Sequence, residues 1–72
     1  MIRTVNHLAS FISERLQTGP TCRVFSDVLY YCWPLPKEER EAQIVAFAKQ
    51  HGWIVRIHEQ QPIGVIAEFW KR

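Results

Sequence analysis

Residues 52–72 read GWIVRIHEQQPIGVIAEFWKR, two apolar-rich stretches around a short polar break. In Trp53–Glu59, the residues Trp53, Val55 and Ile57 alternate with Ile54, Arg56 and His58. In Ile63–Trp70, the residues Val65, Ala67 and Phe69 alternate with Ile66, Glu68 and Trp70. A period of two is the mark of strands whose successive side chains point to opposite faces. Gln60, Gln61 and Pro62, with Gly64 nearby, supply a reversal longer than a two-residue turn. The segment therefore predicts an antiparallel hairpin with Val55, Ile57, Val65, Ala67 and Phe69 on the core face. Its other face would bring Arg56 near Glu68 and leave Ile54, Ile66 and Trp70 exposed.

Upstream of the hairpin the period changes to that of a helix. Ile44, Phe47 and Ala48 form an apolar stripe, with Glu38, Glu39 and Glu41 at the front and Lys49 and His51 at the back. Acid at a helix start and base at its end both complement the helix dipole. Pro36 suits a first helical position and Gly52 a left-handed stop. Near the N-terminus, Val5, Leu8, Ala9, Ile12 and Leu16 recur at spacings of three and four, predicting a second helix from Thr4 to Gln17. The Thr4 hydroxyl caps its start, and Thr18–Pro20 end it.

Between these helices lies TCRVFSDVLYYCW, residues 21–33. As one strand it would set Asp27 among Phe25, Leu29 and Tyr31. As a helix capped by Thr21 it gathers Phe25, Val28, Leu29 and Cys32 on one face, and the helix is the expected form. Ten residues of one helix would hold Cys22 and Cys32 roughly 15 Å apart, too far for a disulfide. Both cysteines then serve as small buried hydrophobes.

The expected fold is a single α+β domain over residues 1–72: three helices followed by a two-stranded antiparallel β-hairpin. Its predicted core is Val5, Leu8, Ile12 and Leu16 of the first helix, then Phe25, Val28 and Leu29 of the second. Ile44, Phe47 and Ala48 follow from the third, with Val55, Ile57, Ala67 and Phe69 from the hairpin. With 72 residues, such a domain buries only about 60% of its unfolded surface, so modest stability is expected. No stretch is long and apolar enough to span a bilayer. The N-terminus lacks the pattern of a secretion signal, so the expected location is cytoplasmic.

The order of helix, helix, helix, strand, strand, with a tight TGPT between the first two helices, resembles a winged helix-turn-helix domain. The resemblance covers nearly the whole chain at the level of topology. It implies that the third helix enters the DNA major groove and the hairpin touches the backbone. On that basis Lys37, Arg40, Gln43 and Gln50 are the candidate base readers. Arg56, His58, Gln60 and Gln61 are the wing candidates, and Thr21 with Arg23 would hold phosphate at the second helix start. Against that pattern stand the three glutamates at the front of the third helix, which a phosphate-rich groove repels. The wing tip EQQPIG also carries no lysine or arginine, and the WPLPKE link is long for a standard turn.

A net charge of +2, from nine scattered basic and seven acidic residues, permits nucleic acid without pointing to it. A second candidate surface is apolar: Tyr30, Trp33, Ile54, Ile66 and Trp70, residue types that often mark protein interfaces. Catalysis has the least support. His7, His51 and His58 fall on three different elements, and the cysteines lack metal-ligand spacing. The expectation is a small non-catalytic binding protein without cofactor or metal. A winged-helix-like DNA-associated regulator comes first, and a protein-interaction module or self-associating adaptor using the outer hairpin face second. Candidate partners are thus double-stranded DNA, a protein or a second copy of the chain. Nothing points to a membrane or a small-molecule substrate.

Overall fold

The computed structural model describes residues 4–62 and 64–72. Among these residues three helices and three strands follow in the order α1 (Val5–Thr18), β1 (Thr21–Phe25), α2 (Ser26–Cys32), α3 (Lys37–Gln50), β2 (Trp53–Gln60) and β3 (Gly64–Lys71). The class is α+β, but the sheet has three antiparallel strands in the order β1-β3-β2 rather than two. The expected strand start at Ile63 lies outside the described residues.

The added strand comes from the segment read as one long helix. Thr21–Phe25 is extended and pairs with β3, setting Cys22 opposite Phe69 and Val24 opposite Ala67. Cys22 and Val24 are buried while Arg23 and Phe25 are exposed, a clean period of two over five residues. The helical period begins only at Ser26, and Phe25 at its N-cap provides no side-chain cap hydrogen bond. Thr21 is therefore a strand residue and caps nothing. The two cysteines sit on different elements and are free.

The other elements form for the reasons the sequence carries. His7 N–H donates to Thr4 Oγ1 at 3.0 Å, closing the start of α1. Pro36 proves to be the N-cap of α3 rather than its first helical residue, and its carbonyl accepts from Arg40 N–H at 2.8 Å. The helix ends where Gly52 turns to φ +72°, a region open to glycine at little cost.

All three helices contribute to one core on one side of the sheet. Leu8, Ile12 and Leu16 of α1, Leu29 of α2, and Ile44, Phe47 and Ala48 of α3 meet Cys22, Val24, Val65, Ala67 and Phe69. Phe47 lies at the hub of an aromatic cluster, edge-on to Trp33 at 5.3 Å, Trp53 at 5.8 Å and Phe69 at 6.0 Å. Such pairs add to the burial term. His51 stacks on Trp53 with ring centroids 4.8 Å apart.

Most of the expected core is buried or packed against it, and Phe25 is the exception. In its strand register Phe25 faces away from the helices and stays 45% exposed. Trp33, expected at the surface, is buried beside Phe47 in the link between α2 and α3. Among the described residues no helix is long and apolar enough to cross a membrane.

Candidate binding surfaces

The outer face of the sheet carries three cross-strand rows. Strand register sets Thr21, Trp70 and Ile54 in one row, Arg23, Glu68 and Arg56 in the next, and Phe25, Ile66 and His58 in the third. Arg56 thus lies directly opposite Glu68, as the hairpin pattern implied. Glu68 is the hub of the charged row: Arg23 Nε donates to its Oε2 at 3.3 Å, and His58 Nε2 lies 3.5 Å from its Oε1. The Arg56 guanidinium sits 5.9 Å from the centroid of the Trp70 ring, within cation–π range.

The apolar part of this face is graded from its centre to its edges. Ile66 belongs to the outer face as expected, yet it is buried, because flanking strands shield the middle one. Trp70 is half-buried, and Ile54 on β2 and Phe25 on β1 are about half exposed, at 50% and 45%. Phe25 is the functional candidate that sequence reasoning missed, since a helical reading of residues 21–33 assigned it to the core. Tyr30 is exposed on α2 beside Tyr31, and Leu35 and Val45 are also exposed.

The residues proposed to read DNA do not form one surface. Gln43 and Gln50 are exposed on α3. Lys37 is held by Glu59 of β2 at 3.1 Å, and that hydrogen bond and charge, with Glu41 helping, push its ammonium pKa up. Arg23, Arg56 and His58 gather around Glu68 on the sheet, remote in sequence and element from the α3 glutamines. Gln60 ends β2, and Gln61 is exposed in the turn. No helix begins at Thr21, so Thr21 and Arg23 cannot hold phosphate at a helix start.

Arg40 departs furthest from expectation. It is only 4% exposed, its Nη1 donates to Leu35 O at 2.9 Å, and its guanidinium lies 4.2 Å from the Tyr30 ring centroid. Its Nε is buried without a partner among the described residues. The side chain ties α3 to the preceding link and to α2, and it is not available to a ligand. That link is shorter than the sequence suggested: only Trp33–Pro36 separates the two helices.

Burial pushes both thiols up, with Arg15 partly offsetting it at Cys22. An activated nucleophile requires the opposite shift. Among the described residues no three His, Cys, Asp or Glu side chains come together as metal ligands would. Compared with known proteins, the chain matches no family model, no curated protein and no solved structure.

Proposed function

We propose that the chain is a small winged-helix-like binding module that engages a protein partner through the outer face of its sheet. The observation carrying this reading is the exposed apolar pair Phe25 and Ile54, which flanks Trp70 and Ile66 on the face opposite the helical layer. Apolar area bordered by arginines is the composition of interface centres, where tryptophan and arginine are enriched. The winged-helix likeness rests on the α2 and α3 pair, joined by a four-residue turn and followed by the β2–β3 hairpin, with β1 adding a third strand.

DNA reading through α3 is the weaker alternative on charge. Arg40 is buried and Lys37 is engaged by Glu59. Glu38 and Glu39 occupy the first turn of α3, and carboxylates there oppose a phosphate backbone.

Selection of displayed random peptides against the immobilised protein tests the proposal, followed by amide-shift mapping of the enriched sequences. The expected result is that they shift Phe25, Ile54 and Trp70. They should also lose about tenfold or more in affinity for Ile54→Asp, whose circular dichroism should match that of the unchanged protein. Enriched peptides that ignore the outer face, and bind Ile54→Asp equally well, would overturn it.

A further inference from the structure

The order β1-β3-β2 leaves β1 at a sheet edge, where strands carry backbone groups unpaired by the sheet. The opposite edge strand, β2, packs against α3 and carries Glu59, whose exposed carboxylate lies 3.1 Å from Lys37 Nζ. Beside β1 runs a groove of about 350 Å³, lined by all of Thr21–Phe25 together with Phe11 and Arg15 of α1 and Val28 of α2. Consecutive strand residues point to opposite faces. A groove touching all five must therefore follow the strand's edge rather than either face.

The walls have a definite chemistry. Phe11 and Arg15 are one helical turn apart on α1, and the Arg15 guanidinium lies 5.2 Å from the Phe11 ring centroid. Arg15 makes no ion pair among the described residues. Arg23 projects from the strand itself, bound through Nε to Glu68 and otherwise 65% exposed. Val28 and Phe25 add apolar surface, and among the described residues no carboxylate lines the groove.

From these features we infer that the β1 edge is a strand-addition site for an extended acidic–apolar segment of a partner protein. Backbone hydrogen bonding to an open edge supplies affinity, and alternate side chains supply specificity. Residues of the added strand on the helix side meet Phe11, Arg15 and Val28, and those on the outer side lie beside Thr21, Arg23 and Phe25. Cross-strand neighbours prefer opposite charge and apolar contact. The fitting segment therefore pairs apolar side chains with carboxylates aimed at Arg15 and Arg23, over about 17 Å for five residues. The inference rests on the reading of the chain as a protein-binding module and names a second contact surface for it.

The test uses short blocked peptides of alternating valine and glutamate, their lysine counterparts, and glutamate peptides N-methylated at alternate amides. Binding is followed by amide shifts and by hydrogen exchange along β1. The glutamate peptide should shift Thr21–Phe25, slow exchange there and bind about tenfold more tightly than the lysine peptide. N-methylation should abolish the effect. Arg15→Glu should reverse the charge preference; Arg15 is exposed, so this variant should keep the fold, checked by circular dichroism. Silence at β1, equal binding of the lysine or N-methylated peptides, or an unchanged preference in Arg15→Glu would each overturn the inference. So would β1 protection that grows with protein concentration alone, which would make a second copy the occupant. Ile54 lies on β2, away from the groove. Binding abolished by Ile54→Asp but indifferent to Arg15→Glu would therefore sink this inference and leave the outer-face reading standing.

Discussion

Replacing Arg40 separates a structural guanidinium from a ligand-reading one. Arg40→Ala removes the charged hydrogen bond to Leu35 O, worth about 1.5 kcal/mol at the low end for a carbonyl near solvent. It removes the contact with the Tyr30 ring, about 1 kcal/mol at a partly desolvated site. It also exposes about two methylenes' worth of packing, roughly 1.6 kcal/mol. Against these losses, deleting a buried guanidinium whose Nε lacks a partner recovers about 2 kcal/mol of desolvation cost. The net expectation is a loss of about 2 kcal/mol. A domain of this length should have a total stability of only about 4–11 kcal/mol.

Arg40→Met keeps the stem, so only the hydrogen bond and ring contact are lost against the recovered desolvation, and its loss should be near 0.5 kcal/mol. Urea unfolding followed by tryptophan fluorescence reads the difference. With a slope near 1 kcal/mol/M for so small a domain, the midpoint of Arg40→Ala should fall by about 2 M. That of Arg40→Met should fall by about a quarter as much. An Arg40→Ala midpoint equal to that of the unchanged protein is the outcome for a solvent-facing arginine and would rule out this structural role. So would a methionine variant as unstable as the alanine one, which would make the charge rather than the stem decisive.

Three other outcomes are expected. Gly64 holds φ +99°, and a Cβ there would sit 3.1 Å from Ser26 Oγ. Gly64→Ala should therefore cost about 1–2 kcal/mol and speed amide exchange at the β3 start. A variant as stable as the unchanged protein would contradict this. Glu59→Gln should lower the Lys37 ammonium pKa toward its ordinary value, since the hydrogen bond and charge of Glu59 raise it. Heteronuclear titration of Nζ should show the fall, and an unmoved pKa would assign the shift to other groups. Burial raises both thiol pKa values, so the folded state favours the protonated thiols. Their contribution is intact below the unfolded thiol pKa and is lost as pH rises through the folded values. Iodoacetamide should alkylate Cys22 and Cys32 more slowly in the native state than in urea, and equal rates would contradict their burial.

The elements legible in the sequence were those with enough residues to display a period or a boundary signal. α1 and α3 each run 14 residues, with Thr4 at one start and Gly52 at one stop. The hairpin alternation set both faces of β2 and β3 correctly. β1 escaped because five residues give little period, and no turn residue separates Phe25 from Ser26. Its pairing partner is also distant: Arg23 meets Glu68 across 45 positions. That contact is tertiary, and local patterning does not reveal it. The missed strand carried with it the wrong side for Phe25, and hence half of the exposed apolar surface.

Arg40 was misplaced for a different reason, and there the signal was available. Its spacing to Ile44, Phe47 and Ala48 puts it on the same helical stripe as the core residues, and all four are buried. Charge suggested an outward side chain while position required an inward one. The Tyr30 ring and the Leu35 carbonyl make that position tolerable. The outer-face charges were legible only in part. Arg56 opposite Glu68 followed from the hairpin, whereas Arg23 needed β1.

The choice between a protein and a DNA partner is tested by an amide-shift titration of labelled protein with a mixed-sequence DNA duplex, at low and then physiological salt. Small, scattered shifts are expected at low salt, leaving Gln43 and Gln50 of α3 unmoved and vanishing at physiological salt. Salt-sensitive shifts concentrated on Gln43, Gln50 and the hairpin tip at Gln60 and Gln61 would contradict that expectation and make α3 a DNA-reading helix.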